Sequence, residues 1–411
     1  MNNLIEKILN LSVGTVLLTN LYYLSGVLGI PYQLVIVLCL LISLGFSIKH
    51  YSTSLFVNLI NNWHGLFFIL FSLVFSFIDI LIYKTEFRPN DIIRVIWYCS
   101  YFIWTFGLFG QRDKVGNWVF IQGGLVLFLL MVLGLFEKEN PIPFSIILPV
   151  EKRNMSRIAA TLVDANAYAG LFILIIMMFF KHIHLKNKWF ENGLFAIALV
   201  VFLYFNEASG SRQGLLMAAI WVIFRYKHKL TIRNSIIIAF FFAFMGLLVF
   251  INLPSIKQYS VENPSSSVSR LFNSKENERA QESNFYRNQS IVNGFELIKN
   301  NLFVYGPGAF NFISRWEKEN YNVEPHNGFL FLLAQYGLWA VFLFWFMWIS
   351  AKRALAGNNL DLYLAYLLHF ALMPNTMYYA TAFLVFYYID ILYISPKITV
   401  DDSRWKAIER S

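Results

Sequence analysis

Two arginines and a histidine stand where this chain is best equipped for chemistry. Arg212 lies in the polar turn SGSRQG at 209–214, between two apolar runs. Its neighbours Ser209, Gly210 and Ser211 are small, so nothing bulky bars a ligand from the guanidinium. A helix starting there adds free N–H groups and the positive end of its dipole to the same spot. Such a spot suits an anion; the plainer reading is an interfacial arginine that snorkels. Arg287, in FYRNQS, opens a patterned stretch of a long polar segment that also holds Arg270, Arg279 and Arg315. Ordinary solvation is the alternative account of an arginine in such a segment. His326, in EPHNG at 324–328, sits at the mouth of another apolar run. An imidazole that is neutral at physiological pH can take a proton from an attacking hydroxyl; the alternative role is an anchor or cap. Asn327, beside it, is placed to orient a sugar or the ring.

Weaker candidates surround these. Arg157, Asp164 and Asn166 fall in RIAATLVDANAYAG, just ahead of or inside an apolar run. A polar helix N-terminus with an aspartate cap explains them equally well. Ser211 and Gln213 flank Arg212 and complete the candidate substrate-binding set, while Glu207 is close enough in sequence to pair with Arg212. Asp79 and Asp390 fall within apolar runs, where ionisable groups are expensive and usually functional. No histidine pair at metal spacing accompanies Arg212, Arg287 or His326, and His182 and His184 fall on the opposite side in the topology given below. The expectation is no metal and no cofactor. Cys39 and Cys99 both lie in apolar runs and imply no disulfide framework.

The elements that must position these groups follow from composition. Of 411 residues, 57% are hydrophobic and 14% charged, with a mean hydropathy of +0.54. Soluble globular chains carry about 25% charged residues. The deficit, with repeated runs long enough to cross ~30 Å of hydrocarbon, predicts an all-α polytopic membrane protein. Twelve spans are expected, near 8–28, 32–48, 64–84, 92–110, 117–136, 165–181, 192–208, 213–226, 234–253, 327–350, 360–375 and 377–394. The first run shows no cleavage site and is read as a retained helix. Residues 1–253 thus hold spans one to nine, 254–326 a large loop, 327–394 spans ten to twelve, and 395–411 a tail.

Twelve spans put both termini on one side. That side collects Lys181, Lys186, Lys188, Arg225, Lys227, Lys229, Arg233, Lys352 and Arg353 among others. The short loops opposite hold Lys84, Arg88, Arg94, Lys138, Lys152, Arg153, Arg157 and Arg212. The excess makes the termini cytoplasmic and accounts for the formal net charge of +9 without any nucleic-acid partner. Arg212, Arg287 and His326 then all face outward. Within the large loop, Ile291, Phe295 and Ile298 recur at helical spacing, so an amphipathic helix is expected, capped by Ser283 or Asn284. A lid or a shelf on the membrane surface would use such a helix.

The order of these signals resembles the O-antigen polymerase and ligase family, bacterial membrane glycosyltransferases acting on polyprenyl-diphosphate-linked glycans. The matching pieces are SGSRQGLL at 209–216, FYRNQSIVNGFELIKNNLFVYGPGAF at 285–310 and PHNGFLFLLAQYGLWA at 325–340. VDANAYAG at 163–170 is similar to the family's Asp-Pro-Asn segment, with Ala165 in place of the proline; Leu302 likewise stands where the family usually has proline. The likeness covers roughly residues 155–345. It implies a GT-C-like helical fold in the bacterial cytoplasmic membrane with an extracytoplasmic active site. It also implies glycosyl transfer from an undecaprenyl-diphosphate-linked oligosaccharide. The motifs do not separate polymerase from ligase, and a composition rich in Phe, Ile, Asn and Lys tilts the reading to a polymerase that joins repeat units into O-antigen, capsule or exopolysaccharide. Arg212 and Arg287 would clamp the diphosphate without a metal, and His326 would serve as base or orient the acceptor. A flippase and a chain-length regulator are the expected neighbours. Two alternatives stand: a ligase that transfers finished glycan to another acceptor, and a transporter that flips the lipid-linked oligosaccharide.

Overall fold

The computed structural model describes residues 123–139, 165–182, 187–226, 278–300 and 327–372, with isolated helical positions between 41 and 389. Spans one, four and nine, most of spans two, three and twelve, and the residues Arg157, Asp164, His326, Cys39, Cys99, Asp79 and Asp390 lie outside the described residues, as does the VYGPGAF elbow. Among the described residues every regular element is helical and there is no strand. In chain order they are α1 (Gly124–Glu139), α2 (Ala165–His182), α3 (Lys188–Ser209), α4 (Arg212–Tyr226), α5 (Glu278–Asn300), α6 (Gly328–Tyr336), a 3-10 turn (Gly337–Trp339), α7 (Ala340–Ala356) and α8 (Leu360–Leu372). Among them one helix, α3, is long and apolar enough to cross a membrane.

α2 is the axis of the packing. From Ala165 to Met178 every residue is buried, as expected of a helix that is apolar all round. Its first turns carry Ala165, Ala167, Ala169 and Gly170, small enough for α4 and α8 to approach closely. Lower down, bulky rings fill the gaps. Phe172 packs on Phe202 and Phe205 of α3 at 6.0 and 5.5 Å, and Trp221 of α4 meets Phe195 and Phe180 at 4.5 and 5.3 Å. α1 joins through the Tyr168 hydroxyl, which donates to the Leu130 carbonyl at 3.2 Å.

The helices end where sequence chemistry ends them. Asn187 caps α3, its side-chain oxygen accepting from the Trp189 and Phe190 amides. Gly210, at φ 63°, closes the same helix in the left-handed conformation that glycine adopts freely. α4 then starts only two residues later. At the other end of α2, Lys181 reaches the turn between α7 and α8, bonding Asp361 at 2.6 Å and the Asn358 carbonyl at 3.0 Å.

Two expectations are corrected here. The run at 327–350, read as one span, is divided. Gly337 (φ 56°, ψ −139°) ends α6, and a 3-10 turn separates it from α7. Glycine alone tolerates that backbone, and a nine-residue helix plus a seventeen-residue one results. Second, Ser283 and Asn284 do not cap the loop helix. α5 begins at Glu278, so both lie inside it. The residues ahead of them, ERAQE, are mostly strong helix formers and extend the helix upstream.

Candidate functional site

Call the upper end of the bundle the one where α4 begins; α2 and α6 also start there, and α3 and α8 finish there. The turn 209–214 is fastened at this end by neutral groups. The Asn206 side-chain amide donates to the Ser211 carbonyl at 3.0 Å, and the Asn206 carbonyl accepts from the Ser209 hydroxyl at 2.8 Å. Ser211 is the N-cap of α4: its hydroxyl accepts from the Gly214 amide at 3.2 Å and donates to Asn166 Oδ1 of α2 at 3.0 Å. Gln213 bonds through its side-chain amide to Nδ1 of His369 in α8. Asn206, Ser211, Gln213 and His369 are all at most 5% exposed, so these bonds offset much of the cost of burying them, while Asn206 Oδ1 stays buried with no hydrogen-bond partner among the described residues.

Three glycines make this convergence possible. A Cβ on Gly170 would collide with the His369 ring, one on Gly214 with the Asn206 side chain, and one on Gly328 with the carbonyl of Phe370. Each closes one of the sequence segments singled out above: VDANAYAG, SGSRQG and PHNG. Gly170 and Gly328 thus pack on consecutive residues of α8, His369 and Phe370, and the turn 209–214 reaches the same turn of α8 through the Gln213–His369 bond.

The candidate residues fall into this frame as follows. Asn166, Ser211 and Gln213 are brought together, buried, with the bonds just given. Arg212 is the first residue of α4 and half-buried. Loss of water lowers its pKa from the ordinary arginine value; it keeps its proton, and an anionic partner would restore the lost solvation. Asn327 caps α6, its side-chain oxygen accepting from the Phe329 and Leu330 amides at 3.0 and 3.1 Å. Arg287 is half-buried on α5, which packs against α6. The buried side of α5 is polar: Ser290, Asn293 and Gly294. Phe285, Val292 and Phe295 instead stand out at 63, 57 and 59% exposure. The apolar side of this helix is turned away from the bundle.

Sequence reasoning passed over Asn206 and His369. The available signal was a polar side chain inside an apolar run, in LVVFLYFNEAS and LDLYLAYLLHFAL. Among the described residues, no group of three histidine, cysteine or carboxylate side chains lies close enough to hold a metal ion. No family model, no curated protein and no solved structure matches the chain.

Proposed function

We propose that the chain is a membrane glycosyltransferase that joins polyprenyl-diphosphate-linked repeat units into a surface polysaccharide at the outer face of the bacterial cytoplasmic membrane. The observation that carries the reading is the convergence on His369–Phe370. Residues 165–170, 209–214 and 327–328, far apart in sequence, share one packing centre: Gly170 lies against His369, Gly328 against Phe370, and Gln213 is bonded to His369. The helix bearing Arg287 packs on the helix that Asn327 caps.

The charge distribution supports the orientation. Lys181, Lys188, Arg225, Lys352 and Arg353 gather at the lower end, which suits a cytoplasmic face. The upper end, with Arg212, is then extracytoplasmic. Large apolar side chains exposed on α1, α3 and α7, among them Phe128, Ile197, Val200, Val341 and Trp348, suit contact with lipid. Twelve spans with both termini inside complete this topology.

In the reaction, an acceptor hydroxyl attacks the anomeric carbon of the donor. The bond from that carbon to the diphosphate oxygen breaks, and polyprenyl diphosphate leaves with the bonding electrons. Arg212 and Arg287 take up the charge growing on the diphosphate, where fork geometry matters. His326 accepts the hydroxyl proton. The polyprenyl tail lies in lipid beside the helices, and α5 lies over the sugars.

The break at Gly337 favours a second reading, because interrupted helices are common in transporters. One experiment separates the readings: purified protein in lipid discs or liposomes, supplied with a defined lipid-linked oligosaccharide. A ladder of longer products is the expected result. Transfer only to an unrelated acceptor would mark a ligase, and scrambling across liposomes with no glycosidic bond formed would mark a flippase.

A further inference from the structure

We infer that His369 is a positioning residue for Arg212, holding the first turn of α4 through Gln213. The inference rests on the proposed glycosyl transfer for its consequence, though not for its geometry. A buried imidazole in an apolar helix needs a partner, and this one has Gln213 on its Nδ1. Its ring occupies the space that the missing side chain of Gly170 leaves open. Gln213 is the residue after Arg212, and Ser211 is the residue before it. Ser211 is bonded to Asn166 of α2, and its carbonyl to Asn206 of α3. Arg212 is thus bracketed, with neighbours on both sides tied to three different helices. Its backbone is fixed from both directions, and the guanidinium is left with side-chain rotations alone.

The same turn of α8 reaches the second part of the site. Phe370 packs on Gly328, where α6 starts under the Asn327 cap, and its ring lies 4.9 Å from that of Phe329. Consecutive residues of one helix therefore set the start of α4 and the start of α6. A displacement of about 1 Å in a group that binds the reacting centre lowers a rate by about a hundredfold, so loss of the His369 bond reaches the chemistry without His369 touching substrate.

The test compares His369→Leu, which fills the space without bonding, with His369→Asn, whose amide reaches the place of Nδ1. Two readouts are taken on the full-length protein in lipid discs. The first is the rate at which a polar maleimide labels Arg212→Cys, with Cys39 and Cys99 replaced by serine and Glu139→Cys as a control at the same end. His369→Leu is expected to raise labelling at position 212 severalfold and leave position 139 unchanged, and His369→Asn to restore the slow rate. Equal rates in all three backgrounds would overturn the inference. The second is kcat and KM for chain growth on a lipid-linked oligosaccharide, in protein that retains Arg212. Here His369→Leu should lower kcat/KM between about tenfold and a hundredfold at a nearly unchanged melting temperature, with His369→Asn recovering most of it. A leucine variant as active as the wild type overturns the inference as well. Should the wild type form no product, the glycosyltransferase reading falls while the labelling experiment still decides the positioning role. Should His369→Leu fail to fold, Gln213→Leu removes the same bond from the other side, with the same expected and overturning results.

Discussion

The two ends of the helix bundle are joined by different chemistry. At the lower end, cations are spent on the protein itself. Lys181 pairs with Asp361, and Arg225 pairs with Glu191 at 3.0 Å while lying over the Phe195 ring at 4.5 Å. At the upper end, α2, α3, α4 and α8 meet through amides, hydroxyls, an imidazole and bare glycine backbone. Lys138 over Tyr204 lies at the flank of that end rather than within the meeting point. The contrast is between ion pairs that join α2 to α8 and α3 to α4 at the lower end and uncharged groups that tie the turn 209–214 to α2, α3 and α8 at the upper one. Neutral bonding groups hold the backbone of that turn in place without adding a charge of their own.

Breaking the upper end at its charges should have the largest effect. Arg212→Ala and Arg287→Ala are each expected to abolish chain growth, with melting temperature and membrane insertion retained. Lysine at either position should remain poor because a point charge does not reproduce the two-pronged fork. Normal ladders from both lysine variants would mean that diphosphate clamping is the wrong role. Next come the glycines. Gly328→Ala and Gly214→Ala drive a methyl group into a backbone carbonyl and a buried amide, so a loss of about 1–3 kcal/mol or more is expected in a denaturant titration of the purified protein. At the lower end, Asp361→Asn removes a charge-assisted bond to Lys181 and should lower stability by about 1–3 kcal/mol, with kcat per folded molecule unchanged. A large drop in kcat there would erase the division between the two ends. The smallest effect sharpens it: Gly193, near the lower end of α3, has nothing within 4 Å of where a Cβ would sit. Gly193→Ala should therefore be neutral or stabilising by up to about 1 kcal/mol, opposite in sign to the upper-end glycines.

Much of the architecture could be read along the chain. The runs expected at 165–181, 213–226 and 360–375 correspond to α2 (Ala165–His182), α4 (Arg212–Tyr226) and α8 (Leu360–Leu372). α3 extends a turn beyond the expected 192–208 to its Asn187 cap. Long apolar runs declare themselves because their helicity depends on local composition. Less legible was the face that each helix buries. Ile291, Phe295 and Ile298 marked an amphipathic helix for a lid or a membrane-surface shelf, and in α5 Ile291 and Phe295 are exposed while Ser290, Asn293 and Gly294 are buried. Apolar spacing identifies a helix face without identifying what that face meets.

Hydropathy and residue type alone thus set the helical class, most helix limits, and the three short segments with groups suited to anion binding and proton transfer. Tertiary structure alone decided that the described parts of these segments share a centre, that Gly170, Gly328 and Gln213 make the contacts with α8, and that His369 and Asn206 belong to it. The reason is one of range. Helix formation is written in neighbours a few residues apart, whereas the bond between Gln213 and His369 joins residues 156 positions apart and exists only after α4 and α8 have packed.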